Sequence, residues 1–450
     1  MLKYEKIAHD LKNKILNGEI LPGERFESIR FLSKEYNCSK GTVIKAFDIL
    51  RYEHIVYSKA NSGFYVADDL LRDEEENGNI MDLGTGNPTV DTFSIIEAKH
   101  VLNIAVDLYR NNSLESDVRG MSSLNELMVD HLENYDIYCK TENFFLTQGV
   151  IQTVSVLSRM EFPNGNTRVL LESPTYTFCN EMMHSLGLDV VTINRNEEGI
   201  DLVELERIFK EESIKFFYIV PRNHNPLGTA LSHSQRKEIV RLAHQYEVYI
   251  VEDDYFNDSY AIPKYSPLYY FSDFKNCIYM KSYSKLFPYI RIGYVVVPDD
   301  LTDSFSEAAD ENYFLSYHMP DLVSQATLEA AVRSDILVTN AQSVSDSLTQ
   351  KLKIAREVTR KWDSKIAEHI GGDCGYYSTI RLSKVIDVEQ LIRECEKNSI
   401  IVSSNRMAFY NKDDYDNSIR ISMSRIKIKQ VSKALTLLYE IINEVYLTSL

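Results

Sequence analysis

The sequence predicts an α/β protein in two parts: a small helical head carrying a β-hairpin, and a large body built on a mainly parallel sheet. Three observations predict it. At 450 residues the chain exceeds what one ordinary core holds. An acidic stretch at 68–79 breaks the composition. Beyond it, short apolar runs alternate with amphipathic helical stretches, the rhythm of parallel strands joined by helical crossovers.

The body runs are Arg168–Leu171, stopped by Ser173-Pro174; Lys215–Val220 (KFFYIV), stopped by Pro221; Val248–Val251, stopped by Glu252-Asp253-Asp254; Cys277–Met280, leading into Lys281-Ser282; and Ile292–Val297, stopped by Pro298. Between two of them, Ser234–Tyr246 places Ile239, Val240 and Ala243 on one helical face with charges elsewhere. In such sheets a ligand sits beyond the carboxyl ends of the strands, so the residues just after each run are the candidates for chemistry.

The composition is globular, with 44% hydrophobic and 26% charged residues. No apolar run is long enough to span a bilayer, and no basic-then-apolar leader opens the sequence, so no membrane partner is expected. The six cysteines are scattered without a CxxC pair, which argues against disulfides and a metal site and fits a cytoplasmic location. The net charge of −17 is unevenly spread: residues 1–67 carry 11 Lys/Arg against 8 Asp/Glu, a mildly basic head on an acidic body. The stretch 68–79, rich in Asp and Glu and ending in Asn77-Gly78-Asn79, reads as an exposed linker, or alternatively as an acidic helix end.

In the head, Ser28 is placed to cap a helix to Tyr36 with Ile29, Leu32 and Tyr36 spaced for packing. Asn37-Cys38 makes a turn, and Ser39 caps a second helix with Val43, Ile44, Phe47, Ile49 and Leu50 on its buried side. Two short helices joined in this way form a helix-turn-helix, whose second helix enters the major groove. Ser39, Lys40 and Thr42 stand at its N-terminus, where base-reading residues belong. Ile55-Val56-Tyr57 and Phe64-Tyr65-Val66 flank the turn Asn61-Ser62-Gly63, a hairpin wing. By pattern alone such a head also suits a protein-interaction module. The run Leu21 to Arg30 (LPGERFESIR), with Ser39-Lys40-Gly41-Thr42-Val43 and Ser62-Gly63-Phe64, closely resembles the GntR family of winged-helix repressors over residues 1–67. The resemblance implies that Arg25, Ser28, Arg30, Ser39, Lys40, Thr42 and the wing at Gly63 meet double-stranded operator DNA. Glu27 stands where the family has Pro, and Lys40 where Arg is commoner; lysine grips phosphate but lacks the fork that reads guanine.

In the body, Asp253 and Tyr255 follow one strand, Lys285 another, and Asn225-Pro226-Leu227-Gly228 a third. An amine, a carboxylate, a phenol and an amide at one sheet edge match the needs of pyridoxal 5′-phosphate. Its aldehyde requires a lysine, its pyridine nitrogen a carboxylate, its ring oxygen hydrogen-bond donors, and its phosphate a helix N-terminus with hydroxyls and an arginine. Residues 80–450 resemble the fold-type I aminotransferases, through Asn225-Pro226-Leu227-Gly228, Glu252-Asp253-Asp254-Tyr255, Ser282-Tyr283-Ser284-Lys285 and Arg291-Ile292-Gly293-Tyr294 in the family's order. The whole chain resembles the MocR group of GntR-family regulators. The resemblance implies an internal aldimine on Lys285 and a pyridinium partner in Asp253. It implies ring-oxygen contacts from Tyr255 and Asn225, and a phosphate site from Ser282, Arg291 and the amides of Gly149-Val150. It also implies Tyr176 stacked on the ring and Arg420 for the α-carboxylate of an amino-acid ligand. Val150 replaces a small hydroxyl residue, Arg291 lies six rather than seven residues after Lys285, and Leu114-Glu115-Ser116-Asp117 lacks the family's phosphate-side tyrosine, so a weakened phosphate grip is expected. The implied protein is a homodimeric regulator responding to pyridoxal phosphate, an amino acid or an amine. A working aminotransferase, or a protein-recruiting head on an inert body, are the alternatives.

Overall fold

The computed structural model describes the chain except for residues 1, 22, 53–54, 60–62, 67–79, 90–94, 112–118, 259–264 and 317–318. The acidic stretch 68–79, the turn residues Asn61-Ser62 and the 114–117 segment therefore lie outside the described residues. Two compact units result, Met1–Asn79 and Ile80–Leu450, each with its own hydrophobic core.

The first unit is three helices and a hairpin: α1 (Lys3–Leu16), α2 (Ile29–Glu35), α3 (Lys40–Tyr52), β1 (Val56–Lys59) and β2 (Gly63–Val66). Ser28 caps α2 as its sequence position predicts, with Oγ accepting from the Phe31 amide at 3.2 Å. Ser39 Oγ does the same for the Thr42 amide at 3.1 Å at the start of α3. Fully buried Phe47 joins helix to wing: its ring stacks on Phe64 at 4.1 Å and meets the edge of Phe26 at 5.2 Å. The chain before α2 pairs with the wing, the Phe26 amide donating to the Phe64 carbonyl at 2.9 Å. One expectation fails. Ile44 is 41% exposed, because α3 packs through Val43, Ala46, Phe47 and Leu50, and Ile44 falls outside that stripe.

The second unit carries the remaining strands: β3 (Met81–Asp82), β4 (Phe144–Thr147), β5 (Arg168–Ser173), β6 (Val190–Asn196), β7 (Gly199–Ile200), β8 (Ile214–Ile219), β9 (Tyr249–Asp253), β10 (Cys277–Ser282), β11 (Gly293–Val296), β12 (Ala367–Gly371), β13 (Tyr377–Leu382), β14 (Ile400–Ile401), β15 (Ser403–Ser404) and β16 (Ser418–Ser422). Eight form one sheet in the order β4-β11-β10-β9-β8-β5-β6-β7, parallel from β10 through β6. Strands β8 and β9 are buried at every position, which is why they read as unbroken apolar runs rather than as alternation. The helices used below are α4 (Ile95–Leu108), α5 (Ser122–Leu132), α6 (Val150–Arg159) and α7 (Thr177–Leu186). A helix over His233–Gln245 realises the amphipathic stretch, capped by Ser232 Oγ accepting from the Gln235 amide at 3.2 Å. A separate antiparallel sheet, β12-β13-β16-β15, forms the smaller part of the unit, and β3 pairs with β14. No helix among the described residues is long and apolar enough to cross a membrane.

Candidate functional site

The carboxyl ends of β5, β8, β9 and β10 open into a cavity of ≈ 480 Å³ whose lining includes Gly149, Val150, Tyr176, Asn225, Asp253, Tyr255, Ser282, Lys285, Arg291 and Arg420. Every body residue singled out from the sequence thus faces one space. Its charged lining is Arg159, Lys285, Arg291 and Arg420 against the single carboxylate Asp253, a field suited to an anionic ligand.

Asp253 ends β9 and is 2% exposed. Its Oδ2 accepts from the Tyr218 hydroxyl at 2.6 Å, while its buried Oδ1 has no hydrogen-bond partner among the described residues. Burial pushes this carboxyl up to about 7, against the opposing Tyr218 bond and the Lys285 charge. A buried carboxylate with one unmet lone-pair set calls for a cationic donor. Lys285 follows β10 and spends its ammonium on three acceptors: the Gly86 carbonyl at 2.7 Å, Asn87 Oδ1 at 2.8 Å and the Tyr377 hydroxyl at 2.9 Å.

The segment that carries Asn225 is held by a buried polar frame. Glu172 Oε2 accepts from the Val220 amide at 2.7 Å, Arg195 Nε lies 3.2 Å from Oε1, and His224 Nε2 lies 3.5 Å from Oε2. His224 Nδ1 accepts from the Leu227 amide at 3.3 Å, and burial lowers the imidazole below its ordinary pKa, keeping it neutral as that bond requires. Beside it, Arg222 makes a bidentate pair with buried Asp254, which also accepts from the Tyr279 hydroxyl at 2.7 Å. Asn225 Oδ1 accepts from Arg420 Nη1 at 3.3 Å, which turns the amide NH₂ away from the arginine as a donor for a ligand oxygen.

At the other end of the cavity Gly149 caps α6 with φ +121°. A Cβ there would lie 3.3 Å from Ser282 Oγ, so glycine keeps this cradle open. Ser282 Oγ donates to Ser284 Oγ at 3.2 Å, and the first-turn amides of α6 have no preceding turn to bond. A helix N-terminus with two hydroxyls, on a cavity that Arg291 also lines, offers the chemistry an anion needs.

Three details differ from expectation. The Gly149 amide donates to Thr147 Oγ1 at 3.2 Å, so Val150 and the amides after it, not Gly149, remain for an anion. The Tyr255 hydroxyl donates to the Asn223 carbonyl at 2.6 Å, which occupies the single proton a ring oxygen would need. Arg420, on β16, also donates through Nη2 to the Gly84 carbonyl at 2.9 Å, and its buried Nε lacks a partner among the described residues. Sequence reasoning missed Tyr377, Tyr218, Gly86 and Asn87. Tyr377 lies between Lys285 and Arg420, whose guanidinium stands 4.9 Å from its ring centroid. Burial pushes its phenol up, but the Lys285 and Arg420 charges outweigh burial and hold it below its usual value. The turn-rich Gly84-Thr85-Gly86-Asn87-Pro88 was the one available signal for the pair Gly86 and Asn87.

On the head, Arg25, Ser28, Arg30, Ser39 and Lys40 are exposed and Thr42 is half-buried. Arg25 lies against the wing, its Nε 3.2 Å from where a Gly63 Cβ would sit. The hydroxyls of Ser39 and Thr42 are 2.9 Å apart and spent in part on each other. Exposed Ile44 adds an apolar group to the outer face of α3 that the sequence reading had placed inside.

The family profile for aminotransferase class I and II matches residues 78–438, and that for bacterial regulatory proteins of the gntR family matches residues 3–66. The uncharacterized HTH-type transcriptional regulator YcxD of Bacillus subtilis is 32% identical over 97% of this chain and 99% of its own length. The HTH-type transcriptional regulator NorG of Staphylococcus aureus is 22% identical over 94% of this chain and 100% of its own. Among solved structures, the α-aminoadipate aminotransferase LysN of Thermus thermophilus aligns with a TM-score of 0.74 at 18% identity, covering 88% of this chain and 98% of that one. The multiple substrate aminotransferase of Thermococcus profundus aligns at 0.73 and 19% identity, covering 84% and 96%. At those identities the solved structures establish the fold.

Proposed function

Because the chain belongs to the GntR family of transcription regulators, in the MocR group that joins a winged helix-turn-helix to an aminotransferase class I and II domain, we propose that it is a DNA-binding regulator whose body holds pyridoxal 5′-phosphate through a covalent bond to Lys285 and responds to that ligand, an amino acid or an amine. One observation carries the reading. A single cavity contains a lysine, a buried carboxylate with an unmet oxygen, and a glycine-capped helix N-terminus beside paired hydroxyls.

Each group has a task. Asp253 Oδ1 would take the ring N–H and keep that proton in place. The Asn225 amide would donate to the ring oxygen, with Tyr255 fixing the Asn223 loop behind it. Ser282, Arg291 and the α6 amides would hold the phosphate, and Tyr176 would cover the ring. When bound, the group supplies an electron-withdrawing ring to any amine joined to it. Arg420 would orient a ligand carboxylate.

On the head, Arg25, Arg30, Lys40, Thr42 and the wing at Gly63 are the proposed DNA contacts, with Ser28 and Ser39 capping the two helices that carry them. The chain is proposed to act as a homodimer, two heads meeting paired half-sites, in the cytoplasm where chromosomal DNA is reached. Arg420 beside Lys285 also favours a second reading, a working aminotransferase; steady keto-acid formation from an amino acid would select it.

The test is the visible absorption of the protein with added pyridoxal phosphate, against Lys285→Ala. A band that the variant lacks establishes ligand and site together. No band removes the cofactor from the reading and leaves the DNA-binding head.

A further inference from the structure

The first described segment of the body runs under the site. Leu83 donates its amide to the Ile401 carbonyl at 2.9 Å, continuing the β3–β14 pairing, and the chain then passes Gly84, Thr85, Gly86 and Asn87. Asp82 Oδ1 accepts from the amides of Gly84 and Thr85, at 3.0 and 2.9 Å. In front of this strap stands Lys285, with its amine on the Gly86 carbonyl and on Asn87 Oδ1. The same strap is the part of the body that follows the 68–79 stretch in sequence.

An ε-ammonium has three N–H donors, and those of Lys285 meet three acceptors at 2.7 to 2.9 Å. Covalent chemistry at this nitrogen removes them. The ammonium gives one proton to solvent. The amine adds to an aldehyde carbon, and its two hydrogens leave with the carbonyl oxygen as one water. The resulting C=N nitrogen carries one N–H if it takes up a proton and none otherwise, so at least two acceptors lose their donor. The new N–C bond must also point along a direction that an acceptor now fills. Either the lysine swings away or the strap gives way, and at least one of the two Lys285–strap bonds breaks. The losses are unequal: the Gly86 carbonyl keeps the Tyr377 hydroxyl at 3.1 Å, whereas Asn87 Oδ1 has Lys285 as its one hydrogen-bond donor among the described residues.

We propose that Gly86–Asn87 is the end of the strap latched by the amine of Lys285 and loosened by covalent loading of that amine, while Arg420 on Gly84, Ser424 on Thr85 and Arg425 on the Asn87 carbonyl keep the rest anchored, so that ligand occupancy is passed to the body segment that follows the 68–79 stretch in sequence. This rests on the reading of Lys285 as the pyridoxal phosphate lysine. Asn87 and Gly86 are here sensing positions rather than catalytic ones, and the signal is a loss of order rather than a new contact.

The experiment is amide hydrogen exchange of the peptide spanning 80–89 in the full-length protein, with and without pyridoxal phosphate, recorded beside the visible band. Unlatching is expected to speed exchange there by about 3- to 30-fold, the population change that follows loss of one or two ordinary hydrogen bonds. Lys285→Ala is expected to exchange fast without ligand and to ignore pyridoxal phosphate. Lys285→Arg, which keeps N–H donors but forms no such bond, is expected to stay slow in both conditions. A band without faster exchange in the wild type, or slow exchange in Lys285→Ala, overturns the strap and leaves the cofactor reading standing. Absence of the band overturns both.

Discussion

The Tyr218 hydroxyl donates to Asp253 Oδ2 at 2.6 Å, from a strand beside that of Asp253 and at a depth where both side chains are buried. This bond favours the ionised carboxyl while leaving Oδ1 without a partner among the described residues. An ionised Asp253 is the stronger partner for a ring N–H, so in the proposed reading Tyr218 would support ligand binding without lining the cavity. Tyr218→Phe removes a hydrogen bond to a charged group, worth about 1.5–3 kcal/mol. Pyridoxal phosphate retention is expected to weaken by about 10- to 100-fold, read by titrating the visible band. An unchanged titration would show that Asp253 ionises without that help.

Asp253 also gives the body a pH signature. Burial raises its carboxyl in the folded state to about 7, against an ordinary value of about 3.9 when unfolded. Between those values the folded state binds the extra proton, so this residue's contribution to stability is complete below about 4 and is lost as pH rises to about 7. Asp253→Asn removes the ionisation. The denaturation midpoint of the variant relative to wild type is therefore expected to improve as pH rises from about 4 to about 7 and to level off above it. A flat difference across that window would place the Asp253 carboxyl in its ordinary range.

In the head, Phe47 bridges Phe26 and Phe64 and so ties α3 to the wing. Truncation to Ala removes a fully buried aromatic ring, at a cost of about 3–5 kcal/mol. That approaches the whole stability of a small unit. Phe47→Ala is expected to abolish duplex binding while leaving the pyridoxal phosphate titration intact, since the body has its own core. Loss of both functions together would mean that the two units fold as one.

The fold and most of the residues that gather at the candidate cavity were legible in the sequence, for identifiable reasons. Fully buried parallel strands produce apolar runs that end abruptly, and the stops at Pro221, Asp253 and Ser282 mark the sheet edge where chemistry collects. Ser28 and Ser39 announced helix starts because short hydroxyls satisfy first-turn amides. Tyr377 was illegible. It is one tyrosine among 29, and its role depends on the antiparallel sheet bringing it to a lysine 92 residues away in sequence. Tyr218 was hidden for a related reason: inside KFFYIV it scores as one more strand aromatic, and only the β8–β9 register reveals its partner. Ile44 was misplaced because several apolar residues in a short helix leave its buried face ambiguous by one position.

The proposed DNA contacts carry their own salt signature. Arg30 stands exposed at the start of α2. If it neutralises one backbone phosphate, Arg30→Ala is expected to weaken duplex binding and to reduce the slope of log affinity against log salt by about one unit. Pyridoxal phosphate titration should be unaffected. Equal binding and equal slope in the variant would remove Arg30 from the interface and shift attention to Lys40 and the wing.

Gly149 offers the sharpest division of the cavity into its two halves. Its φ of +121° and the 3.3 Å approach of a Cβ to Ser282 Oγ mean that an alanine there is strained and crowds the hydroxyl end of the anion site. The proposed ring-binding end, with Asp253, Asn225 and Lys285, is untouched by that substitution. The two ends can be probed separately, because pyridoxal carries the same aldehyde and ring as pyridoxal phosphate but no phosphate. Gly149→Ala is expected to weaken binding of pyridoxal phosphate by about 5- to 30-fold, the roughly 1–2 kcal/mol of strain for a side chain in such a backbone region being relieved when the unbound cradle shifts. Pyridoxal binding should change far less, since it never used the cradle. The ratio of the two affinities, measured by the visible band, is the decisive quantity. A fall in both by the same factor would mean that Gly149 acts by shaping the whole cavity, and the anion site would then have to be sought around Arg159 instead.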